Sequence, residues 1–284
     1  MLVVTGATGQ LGRLVIDTLL TTVPAGEIAA VVRDKEKAAP LAARGVEVRV
    51  GDYDRPETLE GAFGAGDRVL LISGSEVGRR IPQHRAVIEA AKAADVALLA
   101  YTSILGGPAA DFRLAEEHQA TEREIAGAGI PYTLLRNGWY HENYTGHLAS
   151  VLEHGAVLGS AGAGRIASAS RADYAAAAAA VLTGEGHEDA AYELSGDTSW
   201  SLADYAAEVG RQSGREIVYT DLSTEAHAAA LAGAGLPEPL AAILADVDDA
   251  IRRGLLAGTS GDLSRLIGRP TTPIADAIAA ALKD

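Results

Sequence analysis

Cysteine is absent from the 284-residue chain, which excludes disulfides, thiolate nucleophiles and thiolate-ligated metals. Basic residues are outnumbered, with 24 Lys and Arg against 38 Asp and Glu, for a formal net charge of −14. That balance opposes tracking a nucleic-acid backbone or an anionic membrane, although a local basic pocket for one phosphate stays open. No apolar run approaches the roughly 20 residues that cross a bilayer. The amino terminus lacks the basic flank and small-residue cleavage site of a secretory signal, because its apolar run passes straight into glycines. A cytoplasmic location, with no nucleic acid and no membrane as partner, is the expectation. Aromatics make up only 5% of the chain, so a local concentration of them asks for a reason.

What is present is ample for a core: 48% of residues are hydrophobic. Short apolar runs at 2–5, 28–32, 46–50, 69–72, 96–101 and 130–136 read as strands. Helix-like spacing separates them at 10–20, 35–43, 56–64, 80–94 and 114–127, with Pro56 suited to a first helical turn. Strand–helix alternation with nearly continuous apolar strands predicts an α/β, doubly wound parallel-sheet Rossmann fold. Later segments add strand signals at YELSGD and at 216–220, and helices near 202–213, 224–232, 239–253 and 274–282. Asp54 and Asp173 read as helix caps. The expected division is a discontinuous parallel-sheet domain, 1–136 with 166–193. A smaller, mostly helical α/β domain for substrate takes 137–165 with 194–284.

The dinucleotide assignment starts at TGATGQLG, which follows the first strand and opens a helix. Gly6 permits the tight turn, Gly9 removes a Cβ that would obstruct a pyrophosphate, and Gly12 permits close packing of the helix. The helix N-terminus offers unpaired N–H groups to phosphate. Structural turn glycines are the plain alternative, and the surrounding alternation argues against it. Arg33 lies just past the second strand, 21 residues after Gly12. A carboxylate there pairs with the ribose hydroxyls of NAD, whereas an arginine suits the extra phosphate of NADP. Lys35 and Lys37 keep the local field positive beside Asp34; an ordinary surface charge is the competing reading. Asp52 or Tyr53 is placed to flank adenine. Ser73, Gly74, Thr102 and Ser103 stand at carboxyl ends of parallel strands, where open sheets bind ligands.

Familiar catalytic patterns are missing. There is no HExxH, no metal-ligand spacing among the seven histidines and no G-x-S-x-G elbow. No metal is expected, since AEEHQATERE reads first as a solvated helix face. Nor is there a Tyr-x-x-x-Lys pair, because Leu105 stands at the fourth place after Tyr101. Hydride transfer manages without one if a reactive acceptor is held against the nicotinamide in a dry pocket. NGWYHENY, residues 137–144, gathers polar and aromatic groups after the sixth strand. Trp139 and Tyr140 are placed to wall a planar ligand, and Asn137 or Asn143 to orient an amide or carbonyl. The alternative is that Trp139 and Tyr140 only anchor the sheet to a second lobe.

Taken together, TGATGQLG, AVVR, LLISGSEVG, AYTS, YTLLRNGWYHENY, ASASRADYAAAAA, ELSGD and LIGRPTTP resemble the NmrA-like NAD(P)H:quinone oxidoreductases. These are an atypical branch of the short-chain dehydrogenase/reductases with triphenylmethane dye reductases as relatives. The resemblance spans nearly the whole chain and implies NADPH as cofactor, without flavin, for direct two-electron reduction of a small planar quinone to its hydroquinone. It implies Gly6, Ala7, Thr8, Gly9, Gln10 and Leu11 around the pyrophosphate and Arg33 on the 2′-phosphate. It also brings Ser73, Gly74 and Ser75 to the cofactor, with Asn137, Gly138, Trp139, Tyr140 and Asn143 at the nicotinamide end and Arg171 near the cleft. His118 matches the position of a catalytic lysine in related plant reductases, so it joins Tyr140 and Asn143 as a catalytic candidate, with solvent as the other proton source. Dye reduction and non-enzymatic NADP(H) sensing are the competing functions. The resemblance admits a homodimer, with no patch in the sequence that identifies its interface.

Overall fold

The computed structural model describes residues 1–283. The chain alternates β1 (Leu2–Thr5), α1 (Gln10–Leu19), β2 (Ile28–Val32), α2 (Ala39–Ala42), β3 (Glu47–Val50), β4 (Arg68–Leu71), α3 (Arg80–Ala93), β5 (Leu98–Ile104), α4 (Arg113–Gly127) and β6 (Tyr132–Asn137). It then leaves the sheet through α5 (Glu142–Thr145), α6 (Leu148–His154), β7 (Ala156–Gly159) and β8 (Arg165–Ile166). It returns with α7 (Arg171–Thr183) and β9 (Ala190–Leu194). The remainder is β10 (Trp200–Ser201), α8 (Leu202–Ser213), β11 (Val218–Asp221), α9 (Thr224–Gly233), α10 (Glu238–Arg252), α11 (Asp262–Ile267) and α12 (Ile274–Ala281).

Among the described residues, seven strands pair in parallel in the order β3-β2-β1-β4-β5-β6-β9. The unbroken apolar runs explain why. Every residue of β2 and β5 is buried, as expected of strands covered on both faces. On one face Val15, Ile16 and Leu19 of α1 join Ala175, Ala178 and Val181 of α7 over Val4, Ala30 and Leu70. On the other, Val87 and Ala91 of α3 and Ile125 of α4 cover Val3, Val69 and Leu99. A third core, built on Trp200, Leu202, Tyr205, Val209, Val247 and Ile251, holds the second lobe. There β7 pairs with β11 and β8 with β10.

Four local expectations are corrected. The helix expected over 56–64 is a single 3-10 turn, Pro56–Leu59, cut short by Gly61 at φ +78°. The one expected over 35–43 shrinks to α2, because the Asp34 carboxylate accepts from the N–H groups of Glu36 and Lys37 and makes a turn first. Asp54 does not cap; it pairs with Arg79 at 2.7 Å and accepts from Gln83 at 3.1 Å. The cap of α7 is Ser170, whose Oγ accepts from the Asp173 N–H at 3.1 Å. The Asp173 carboxylate turns inward instead, accepting from the Thr272 N–H at 2.9 Å and pairing with Arg269 at 2.6 Å. Within 194–284, α11 carries Leu263 into the core formed by α1 and α7 and packs against β9. Among the described residues no helix is long and apolar enough to cross a membrane.

Candidate functional site

The carboxyl ends of β1, β4, β5 and β6 lie side by side, where an open parallel sheet forms its ligand crevice. At its floor Gly6 adopts φ +57°, a conformation that favours glycine, and its carbonyl accepts from the Gly9 N–H at 2.9 Å. A Cβ on Gly9 would stand 3.1 Å from the Gly6 oxygen. On Gly12 it would meet that oxygen at 2.5 Å and the Ala7 Cα at 2.8 Å. Gly12 thus lets α1 press on the loop itself rather than on the sheet. Ala7, Leu11 and Gly12 are buried beneath, whereas Gly6, Gly9 and Gln10 are exposed and Thr8 is half-buried. Among the described residues no side chain caps α1, so its first-turn N–H groups are left without a side-chain acceptor, as anion binding requires.

Arg33 extends from the end of β2 with 68% of its side chain exposed, and its only ion pair among the described residues is a long 3.7 Å contact to Glu76. The engagement of Asp34 in its own turn removes that carboxylate as a competitor. Tyr53 crosses from beyond β3 to the floor, where its hydroxyl contacts Thr5 and donates to the Ile72 carbonyl at 3.1 Å.

The loop after β4 is held from beneath. Thr102 accepts from the Ser73 N–H at 2.8 Å, and His84 Nε2 from the Gly74 N–H at 2.9 Å. Ser75 is exposed beside them. Accepting at Nε2 fixes His84 in its Nδ1–H tautomer, which places that hydrogen toward Thr121 at 2.9 Å. Burial, reinforced by Arg80, pulls the His84 pKa down to about 3. His118 is 5% exposed, with Nδ1 at 2.7 Å from the Tyr101 hydroxyl. Burial, then Arg80 and His84, holds its pKa well below the ordinary value. The imidazole is neutral at pH 7. Burial also raises the pKa of Tyr101, so its phenol keeps its proton.

At the end of β6, Asn137 is buried and its Oδ1 has no hydrogen-bond partner among the described residues. Gly138 accommodates neighbours: a Cβ there would lie 3.1 Å from both the Leu194 carbonyl and the Tyr174 hydroxyl. Trp139 packs on the second-lobe core, while Tyr140 stands edge-on to Tyr174 at 5.3 Å, beneath the Arg171 guanidinium at 4.8 Å. Arg171 also reaches the Asn143 Oδ1 at 3.4 Å. Tyr144 turns away from them and packs edge-on to Trp200, 4.8 Å between ring centroids. One side chain in this cleft was not anticipated from sequence: Arg80, 8% exposed, whose Nε donates to the Gly74 carbonyl at 2.6 Å. The first residue of a helix after a charged loop, in SEVGRRIPQ, reads as solvated, and no periodicity signals that it folds inward.

Comparison with known proteins agrees with this geometry. The model of an NAD(P)H-binding family matches residues 6–185. Quinone oxidoreductase 2 of Escherichia coli (strain K12) is 52% identical over 278 residues, covering 98% of this chain and 97% of that protein. The crystal structure of an NADPH-dependent quinone oxidoreductase from Escherichia coli complexed with NADPH superposes with a TM-score of 0.97 at 51% identity, covering 99% of this chain and 100% of the other. Triphenylmethane reductase of Citrobacter sp., complexed with NADP(H), gives a TM-score of 0.95 at 43% identity, again over 99% and 100%. The chain belongs to the NAD(P)H-binding, NmrA-like family of quinone oxidoreductase 2.

Proposed function

We propose that this chain is an NADPH-dependent quinone reductase, carrying two electrons to a small planar quinone in the cleft between the sheet and the second lobe. The observation that carries the reading is the 52% identity to quinone oxidoreductase 2 over 98% of the chain. The glycine loop supports it: a cradle that a Cβ on Gly9 would narrow, beneath unpaired N–H groups, fits a pyrophosphate. NADPH, when bound, supplies a hydride from its nicotinamide ring. Gly6 to Gly12 hold the phosphates, and the weakly paired Arg33 takes the 2′-phosphate. Ser73, Gly74, Ser75 and Thr102 line the middle of the cofactor. The unpartnered Oδ1 of Asn137 accepts from a carboxamide, and Tyr140, Asn143 and Arg171 close that end. Neutral His118, joined to Tyr101, does not act as an imidazolium acid, so solvent completes the hydroquinone.

The test is anaerobic mixing of the protein with NADPH and a benzoquinone, following the near-ultraviolet absorbance of NADPH. Protein-dependent loss of NADPH is expected. Its absence across several quinones overturns the reading, and a much faster loss with a triarylmethane dye replaces it with dye reduction.

A further inference from the structure

The segment after β4 crosses the mouth of the dinucleotide crevice. In the strand order β3-β2-β1-β4, residues 73–79 leave β4 yet reach Arg33 beyond β2 and Asp54 beyond β3. They therefore pass over the carboxyl end of β1, where the glycine loop begins. Two arginines meet one carboxylate there. The Glu76 Oε1 stands 3.7 Å from the Arg33 Nη1, and its Oε2 accepts from the Arg79 Nη1 at 3.0 Å. The other terminal nitrogen of Arg79 donates to Asp54 at 2.7 Å, and Asp54 also accepts from Gln83 at 3.1 Å. The turn itself is pinned. The Glu76 carbonyl accepts from the Arg79 N–H at 3.1 Å, and Glu117 accepts from the Gly78 N–H at 3.0 Å. All three side chains of the cluster are open to solvent, with 68% of Arg33, 59% of Arg79 and 40% of Glu76 exposed.

An exposed carboxylate–guanidinium pair contributes little to stability, so Glu76 gives up its arginines readily to a better anion. A phosphate monoester is that anion. It carries nearly two negative charges and three strong acceptor oxygens, enough for two guanidinium forks, where a carboxylate has one charge and two oxygens. When Glu76 swings away, the bond to Asp54 keeps Arg79 beside Arg33. We propose that Glu76 is a built-in competitor for the 2′-phosphate, that Arg79 is the second cation of that subsite, and that Glu76 thereby sets how far NADPH is preferred over NADH. The proposal rests on the reading of Arg33 as the residue that takes the 2′-phosphate. A cofactor without that phosphate leaves the contacts of Glu76 undisturbed. One that carries it gains both arginines and has to displace the carboxylate, so Glu76 weakens NADPH selectively and moderates the preference that Arg33 and Arg79 create.

Two ligands that differ only in the 2′-phosphate test this, adenosine 2′,5′-bisphosphate and adenosine 5′-monophosphate, titrated calorimetrically into the full chain. Glu76→Gln is expected to tighten the bisphosphate about 3- to 5-fold, the size of one exposed ion pair, and to change the monophosphate less than about 1.5-fold. Arg79→Met should weaken the bisphosphate about 10-fold and spare the monophosphate. With both arginines replaced, in Arg33→Ala/Arg79→Met, adding Glu76→Gln should alter bisphosphate binding less than about 1.5-fold, because no cation is left to release. Equal tightening of both ligands, no tightening of the bisphosphate, or a gain that survives the loss of both arginines overturns the proposal. A preference for the bisphosphate that depends on Arg33 but not on Glu76 or Arg79 defeats it alone. If the wild-type protein binds the two ligands equally and Arg33→Ala changes neither, the reading of Arg33 fails and the proposal falls with it. No turnover enters these titrations, so they stand apart from the identity of the electron acceptor.

Discussion

At the scale of single residues, chemistry in this cleft depends on which groups stay charged. Arg33 stays accessible because its carboxylate neighbour Asp34 is engaged by the backbone of its own turn. Charge-assisted hydrogen bonds contribute about 1.5–3 kcal/mol, so Arg33→Ala should weaken NADPH binding roughly 10- to 100-fold and leave NADH nearly unchanged. Titration by fluorescence checks it, and equal effects on both cofactors would contradict the assignment to the 2′-phosphate. His84 and His118 are neutral for a different reason, burial reinforced by Arg80. The folded His84 titrates at about 3, against 6.5 when unperturbed. Between those values the unfolded chain binds a proton that the folded chain refuses. Stability is therefore fully present above pH 6.5 and falls as the pH drops toward 3, by at most about 1.4 kcal/mol per pH unit for this group. The urea midpoint should be lower at about pH 5 than at about pH 7, and His84→Gln should flatten that difference.

At the scale of elements, the opening loop and α1 work as one unit. The missing Cβ of Gly12 lets the helix start directly on the loop backbone. Gly12→Ala keeps helical backbone geometry but overpacks that contact, at a cost of about 1–3 kcal/mol. Calorimetry should show a lower melting temperature together with a much reduced rise on adding NADPH. A lower melting temperature with the full rise would mean that the loop tolerates the shift. At α7 the cap is a local matter: Ser170→Ala should destabilise by about 1 kcal/mol, readable by denaturant unfolding. Here legibility in the sequence divides sharply. The serine stands one residue before a strong helix former, whereas Asp173 drew attention as a cap and is instead a tether to Thr272 and Arg269. An N3 carboxylate and a cap look alike until the returning chain is placed.

At the scale of the molecule, the cleft depends on charges that brace the sheet edge. Arg136 on β6 bridges Glu122 of α4 at 2.8 Å and Glu193 of β9 at 2.9 Å. Arg136→Met leaves a buried carboxylate without its partner, a change that costs about 3–5 kcal/mol. The denaturation midpoint should fall markedly while NADPH affinity per folded molecule is kept. A loss of affinity without a stability change would place Arg136 in the site instead. Cofactor binding itself should stabilise the whole chain, by about 2.7 kcal/mol at a hundredfold excess over Kd.

The sequence by itself determined the class of fold and singled out the glycine loop and Arg33 as candidates, because each depends on neighbours close along the chain: apolar runs of strand length, a loop between strand and helix, a residue just past a strand. It also marked 137–144 as the segment to examine. Only the tertiary structure decided which of those side chains face the cleft, with Trp139 and Tyr144 packed on the second lobe and Asn137 left with an unpartnered oxygen. It alone showed His118 to be neutral and Arg80 to be buried, since desolvation is set by whatever distant segments close over a group. Local pattern fixes the backbone path; the charge state of the cleft is a property of the packed molecule.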